Sequence, residues 1–319
     1  MPVTHSGLFR NMIQTEHKNS DYPTISVAMA TYNGGKYLAE QLDSILSQTL
    51  RPVEIIVCDD QSTDNTAEIL EDYHSKGLLK YYINDQRLGF IGNFKRAVSL
   101  CNPGNCIALS DQDDIWLPSK LSLAAKYLEN INETDIPAIV YSDLILVDQD
   151  KNLINSSFRS ELGQGGYIYC LETLFFGCFV NGCTMLMNPA MRSYFSTIPD
   201  HGALNHDTWI SMIAYTFGKA DIVPEPQVYY RSHGNNATEV GDFKRKGRLK
   251  RLLSEIIHSF KKNDLFEDQI SFAFEFYNTF HDKLSPKQKN LFIRFINLKG
   301  KSWLHKKIAL RRFFRGKWK

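Results

Sequence analysis

A series of short β-forming runs, each closed by polar or acidic residues and followed by a helix-spaced segment, constrains this chain more than any other feature. TISVAMATYNGG (24–35) is apolar and ends in a turn signal. KYLAEQLDSILSQTL follows with Leu38, Leu42, Ile45 and Leu46 at helical spacing, and Pro52 closes that helix. VEIIVCDD (53–60) ends in two acids and precedes STDNTAEILEDYHSKG, which has Ser and Thr at a helix start, periodic Ile69, Leu70 and Tyr73, and a closing Gly77. LKYYIND (79–85) leads into a Gly-containing loop and a further helix. NCIALSDQDD (105–114) again ends in acids, KLSLAAKYLEN forms the helix after Pro118, and AIVYSDLILVD (138–148) reads as a fifth strand. Such alternation predicts an α/β fold with a doubly wound, mostly parallel sheet. Ligands of these sheets bind beyond the carboxyl ends of the strands. Asn33, Asp59, Asp60 and Asp111 to Asp114 all fall there.

The chemistry those acids suit follows partly from what is missing. No GxGxxG follows the first strand and no GxxxxGK[ST] occurs anywhere, so a backbone cradle for phosphate is lacking. A phosphate-bearing ligand would need a metal to neutralise it. Magnesium and manganese favour carboxylate oxygens and share them with substrate phosphates. LSDQDDIWLP (109–118) packs three aspartates into four positions, an Asp-x-Asp pattern that can give one acid to a cation and its neighbour to a sugar hydroxyl or water. Turns are rich in Asp, so the pattern alone decides little. The convergence of three polar clusters from separate segments is what raises it above a solvated loop.

Composition narrows the class. With 43% hydrophobic residues the chain can bury a full core, which excludes global disorder. No apolar run approaches the roughly 18–20 residues that cross a bilayer, and the longest candidate, Leu174 to Met187, is broken by Gly177, Asn181 and Gly182. The first 23 residues lack the apolar centre of a signal peptide, which predicts a cytoplasmic location. Six cysteines without a CxxC pair read as buried thiols.

Charge divides the chain. Residues 1–241 hold 16 Lys or Arg against 28 Asp or Glu, whereas residues 242–319 hold 21 against 7. The predicted organisation is a loose arm (1–22), a catalytic domain (23–241) and a basic amphipathic helical extension (242–319). FKRKGRLKRLLSEIIHSFKK places Leu249, Leu252, Leu253, Ile256, Ile257 and Phe260 on one helical face. KGKSWLHKKIALRRFFRGKWK interleaves aromatic and aliphatic residues with nine Lys or Arg and no acid. Basic amphipathic helices of this kind suit an anionic membrane surface better than nucleic acid. Residues 263–298 are expected to be mainly structural, with the flanking basic segments facing lipid.

ISVAMATYNGGKYLAEQLDSILSQT, VEIIVCDDQSTDNT and the DxDD-x-W-x-P stretch, in that order and spacing, resemble glycosyltransferase family 2 with its GT-A fold, over about residues 24–235. LSDQDDIWLPSKL, NHDTW and YYRSHGNN are similar to bacterial rhamnosyltransferase-like members that build surface polysaccharides. The resemblance implies an inverting, metal-dependent enzyme (Mn2+ or Mg2+) that transfers a sugar, best read as L-rhamnose from dTDP-L-rhamnose, to a lipid-linked glycan at the inner face of the cell membrane. A UDP-hexose donor, a non-catalytic nucleotide-sugar-binding module and a metal-dependent phosphohydrolase are the alternatives.

Residue by residue, the resemblance places Thr31, Tyr32 and Asn33 along the nucleotide, and Asp60 on the pyrimidine with Asp59 in support. Asp111 falls near the ribose and metal, and Asp113 on the metal. Arg87 and Lys95 add positive charge or are plain solvated side chains. Asp207 is the base that takes the acceptor's proton, although an aspartate there also suits a helix cap. His206 stands where the family has Glu, beside Trp209 in the same block. His233 matches a loop that can supply a metal ligand, and Arg231 suits the leaving diphosphate. Asp114 is read either as part of the site or as a cap on the helix that follows.

Overall fold

The computed structural model describes residues 22–162, 164, 166, 168–200, 205–233 and 265–314. The N-terminal arm up to residue 21 and the basic stretch around 242–262 lie outside the described residues. The strands are β1 (Ile25–Thr31), β2 (Glu54–Asp59), β3 (Lys80–Ile83), β4 (Cys106–Ser110), β5 (Ile115–Trp116), β6 (Ala138–Tyr141), β7 (Leu144–Val147), β8 (Leu153–Asn155), β9 (Leu186–Met187), β10 (Lys219–Ile222) and β11 (Val228–Arg231). A seven-stranded sheet has the order β10-β6-β9-β4-β1-β2-β3, and a four-stranded sheet has the order β5-β11-β7-β8. The large sheet is parallel except at β9, which runs against both β4 and β6. The predicted α/β class and mostly parallel sheet are what the chain forms.

Alternation along the strands builds two cores. Val27 and Met29 of β1, Val57 of β2, Ala108 of β4 and Val140 of β6 face one side. There they meet α1 (Leu38–Leu46), α2 (Thr66–Ser75) and α4 (Lys120–Ile131). Ala28, Ile56, Leu109 and Tyr141 face the other. They meet α3 (Gly89–Leu100), whereas the short helix α5 (Phe158–Glu161) sends Phe158 into the first core; the short helix α6 (Leu171–Leu174) and α7 (His206–Phe217) complete the second. Leu38, Leu42 and Ile45 are buried as their spacing predicts. The helix stops at Leu46, well short of Pro52, and buried Gln48 then ties it to α4 by donating to the Leu117 carbonyl at 2.8 Å and accepting from the Leu121 N–H.

The run 138–148 is two strands rather than one. The chain turns at Ser142–Asp143, where Asp143 accepts hydrogen bonds from the Leu144 and Arg159 backbone amides and from the Ser157 hydroxyl. β6 stays in the large sheet and β7 enters the small one. Apolar residues resume directly after Ser142–Asp143 because both strands are mostly buried, and hydrophobic pattern carries no signal of a change of sheet.

The C-terminal helices α8 (Glu267–Phe280), α9 (Pro286–Ile296) and α10 (Trp303–Phe313) add to the second core. α9 starts on a reciprocal cap between Ser285 and Gln288, with Pro286 in its first turn. Phe276 stacks on Phe292 with 5.3 Å between ring centroids, and Phe175 stacks on Phe295 at 4.7 Å. Each such ring contributes about 1.5–3 kcal/mol through burial. Phe313 and Phe314 are also buried here, and buried Lys306 pairs with Glu267.

Candidate active site

The carboxyl ends of β1, β2 and β4 open into a cavity of about 270 Å³. Its walls come from Ala30, Thr31 and Tyr32 after β1, Asp60 after β2, Arg87 to Asn93 at the start of α3, and Asp111 to Asp113 after β4. Asn181, Gly182, Cys183, Asn205 and Asp207 close it from the second half of the chain, with Phe158 and Tyr230 beside them.

The β1 side is held by local hydrogen bonds. Thr31 is buried and donates from its hydroxyl to Asp59 at 2.8 Å. Asp59 also accepts from the Ser62 N–H and hydroxyl, so it braces the loop and does not line the cavity. Asn33 adopts a left-handed conformation with φ of 49°, and its side-chain oxygen accepts the Thr63 N–H. It too supports the loop and does not face the cavity. Asp60 accepts from Asn84, from the Leu88 N–H at 2.7 Å and from the Gly89 N–H at 2.9 Å, where a carboxylate suits the start of α3. The Arg87 guanidinium lies 3.7 Å from the centroid of the Tyr32 ring, with its Nε 3.9 Å from Asp60. Arg87, Tyr32 and Asp60 therefore form one wall.

On the opposite wall α7 begins at His206, with Asn205 at its N-cap, so Asp207 lies in the first turn and does not cap the helix. Oδ2 of Asp207 accepts the Gly182 N–H at 3.0 Å, and Oδ1 has no hydrogen-bond partner. His206 is buried against Phe90 and Phe94, with ring centroids 5.1 and 4.5 Å away, and burial lowers its pKa. Neither of its nitrogens has a hydrogen-bond partner, and Nδ1 stands 3.5 Å from Asp207 Oδ1.

The acids after β4 point in different directions. His233 Nε2 meets Asp113 Oδ2 at 2.9 Å, and the imidazole stacks on Tyr37. Asp114 turns inward. It is buried, and the next helix has Ser119 at its N-cap, so the capping role open to Asp114 in the sequence is not the one it takes. Its carboxyl oxygens have no hydrogen-bond partner of ordinary geometry. Burial and the neighbouring Asp113 raise its pKa to about 8, with Cys183 and the Arg231 backbone pulling the other way. Burial and the charges of Asp114, Asp113 and Asp207 hold the Asp111 carboxyl well above the usual carboxylate range. Asp111, Asp114 and Cys183 offer ligand atoms within 4.8 Å of one another.

These residues fit a divalent cation. Buried carboxylates that repel one another and lack hydrogen bonds are stable when protonated or when a cation lies between them. The thiol is the one donor that departs from an all-oxygen set, and it favours softer metals.

The sequence profile described as glycosyl transferase family 2 matches residues 26–188, about half of the chain. The chain belongs to this glycosyl transferase family. An uncharacterized glycosyltransferase of Methanocaldococcus jannaschii is 35% identical over 144 residues, 44% of this chain and 48% of that one. The chain thus spans about half the length of that relative. Another, from Haemophilus influenzae, is 28% identical over 243 residues, 74% of this chain and 73% of its own. TarS of Staphylococcus aureus (residues 1–349), solved in complex with UDP-GlcNAc, superposes with a TM-score of 0.58 at 18% identity, covering 86% of this chain and 70% of that one. That likeness is one of fold.

Three residues that the family 2 resemblance marks as candidates lie elsewhere. Trp209 is fully buried among Phe272, Phe276 and Phe280, and its indole donates to Thr197. Lys95 pairs with Asp200 away from the cavity. Arg231 is 2% exposed and turns behind the cavity: Nε donates to the Asp113 carbonyl, Nη1 to the Gln149 carbonyl, and Nη2 pairs with Glu40. It shapes the Asp113 loop from the rear and presents no fork to a diphosphate.

The family 2 site also contains residues that sequence reasoning passed over. Cys183 reads as a buried thiol, yet it lies in the 3-10 turn Gly182–Thr184 beside Asp114. Lys120 is buried with its ammonium 3.5 Å from the centroid of Trp116, and burial lowers its pKa to about 7. Its position two residues after Pro118 carries no signal of such burial. Gln112, between two acids, reads as a spacer but lines the cavity.

Proposed function

We propose that this protein is an inverting glycosyltransferase that moves a sugar from a nucleoside-diphosphate donor to an acceptor hydroxyl, with Asp207 as the base. The observation that carries this reading is the Asp207 carboxylate, which lines the same cavity as Asp111 and Asp113 and is anchored through Oδ2 by the Gly182 N–H. Asp207 is close enough to Asp111 for its charge to raise that carboxyl's pKa. A carboxylate in this position can take the acceptor proton while the acceptor oxygen bonds to the anomeric carbon. The bond to the diphosphate then breaks on the opposite face, and its electron pair leaves with the diphosphate. A divalent cation held by Asp111, with Asp113 and His233 or with Asp114 and Cys183, would neutralise the diphosphate charge when bound. Tyr32, Arg87 and Asp60 form the wall that suits the nucleoside.

The donor in this reading is dTDP-L-rhamnose, supported by the LSDQDDIWLPSKL, NHDTW and YYRSHGNN blocks. The UDP-sugar alternative is favoured by one observation, that TarS, which shares the fold, was solved with UDP-GlcNAc. The acceptor is a lipid-linked glycan at an anionic membrane surface on the cytoplasmic side. In support, Leu304 and Ile308 lie one turn apart on α10 and are exposed, as are Arg311 and Arg312. Among the described residues no helix is long and apolar enough to cross a membrane.

The test is a panel of dTDP- and UDP-sugars assayed for metal-dependent nucleotide release, with and without a lipid-linked acceptor. Release that requires the acceptor supports transfer. Release at full rate without it points to a phosphohydrolase, and binding without release points to a non-catalytic module.

A further inference from the structure

The loop after β1 and the loop after β4 are joined by one side chain. Gln112 Oε1 accepts the Tyr32 N–H at 2.8 Å, and Gln112 Nε2 donates to the Tyr32 carbonyl at 3.0 Å. The amide thus pairs with a backbone residue 80 positions away as a neighbouring strand would. The fit leaves no slack. A Cβ added at Gly34 would stand 2.3 Å from Gln112 Oε1, so the loop must carry glycine there for the side chain to lie flat. Asn33, in its left-handed conformation and bonded to Thr63, fixes the other side of the same loop. Gln112 itself sits between Asp111 and Asp113, and Tyr32 carries the ring on which Arg87 stacks.

We infer that Gln112 is a positioning residue that couples cation binding at the Asp111–Asp113 loop to nucleoside binding at the Tyr32 loop. A cation that draws Asp111 or Asp113 towards it moves the backbone from which Gln112 projects. The paired amide carries that displacement to Tyr32, because both loops must shift together or lose two hydrogen bonds. By linkage the reverse holds, and a nucleoside seated on Tyr32 strengthens cation binding by the same factor. This inference rests on the donor site proposed above.

The test titrates Mn2+ into the full chain with and without saturating uridine or thymidine, which lack the phosphates that could touch the cation directly. Wild type is expected to bind Mn2+ about threefold or more tightly when the nucleoside is present. Gln112→Met fills the same space beside Gly34 without the amide, and is expected to bring that factor close to one. Its affinity for Mn2+ alone is measured alongside, so that coupling is read as the ratio of affinities with and without nucleoside for each protein. Gln112→Asn, which keeps the amide on a shorter side chain, is the second variant and should retain part of the factor.

Wild type without such coupling, or Gln112→Met with coupling intact, overturns the inference. So does a variant that weakens Mn2+ and nucleoside binding independently of each other, since that is a merely structural role. UDP and dTDP with Mn2+ form a separate arm: if wild type binds neither, the donor site itself is wrong and the inference falls with it.

Discussion

Gly182 donates its backbone N–H to Oδ2 of Asp207 at 3.0 Å, while Oδ1 is buried 3.5 Å from His206 Nδ1. The Gly182 contact anchors the carboxylate proposed as the base.

Asp207→Asn keeps the shape and the Gly182 contact but cannot take a proton. Donor affinity should stay near wild type while turnover falls about 10²-fold or more. Calorimetry with the donor and a coupled nucleotide-release assay separate the two effects, and near-normal turnover would remove Asp207 as the base.

Gly182→Ala tests the anchor without touching the carboxylate. The new Cβ would stand 2.8 Å from His206 Nε2, so the imidazole must move, and that ring lies against the Asp207 carboxylate. A displacement of that kind can cost up to about 10²-fold in rate. Turnover should drop while nucleoside diphosphate binding, measured on the opposite wall, changes little.

Asp113→Asn should abolish turnover and weaken diphosphate binding together, because cation and diphosphate bind as a unit. Mn2+ should raise the melting temperature of wild type, and more at pH 8 than at pH 5, since ligating carboxylates must shed protons. Asp113→Asn should lose most of that rise.

His206 carries a pH dependence of known sign. Burial lowers its folded pKa below the unfolded value of about 6.5. Its contribution to stability is therefore complete above that value and is lost as pH falls through the lowered folded pKa, where the unfolded chain binds the extra proton. The stability of wild type minus that of His206→Phe should be flat from pH 7 to 8 and fall on acidification below about 6.5. Denaturant titrations of both proteins across that range measure it.

For α10, core and surface roles fall on different residues. Phe314→Ala should cost about 3–5 kcal/mol of stability, whereas Leu304→Glu with Ile308→Glu should leave stability within about 0.5 kcal/mol. The double variant should sediment less with anionic vesicles if the exposed face meets lipid. Truncation near residue 300 cannot make this distinction, since it removes buried Lys306, Phe313 and Phe314 together with the exposed face.

The strands that build the cavity were legible because β1, β2 and β4 are long enough to show an apolar run and a polar end. The small sheet was not, since β5 and β8 have two and three residues and β7 continues the apolar run of β6. Strand-end position marks Asp60, Asp111 and Asp113, and the family 2 resemblance adds Tyr32 and Asp207; all five line one cavity. Neither could say which way a side chain turns, and so Arg231, Lys95 and Trp209 were grouped with them although their partners lie behind the wall or in the core. Gln112 and Lys120 show the converse. A polar residue in a turn looks solvated until the opposite loop, 80 residues away for Gln112, is seen packed on it.

The two faces of the large sheet also differ in when they can be completed. The core under α1, α2 and α4 draws on residues no later than Tyr230, whereas the core on the other face includes Phe292, Phe295, Phe313 and Phe314. During synthesis the first face has all its side chains while the ribosome is still adding the C-terminal helices. The second face waits for Phe313 and Phe314 to emerge, and until then Phe175, Trp209 and their neighbours stay open to water and to other chains. A stalled or clipped chain would therefore keep half its nucleotide-side packing and yet be sticky. Its fate would be set by chaperones and proteases before its chemistry could matter.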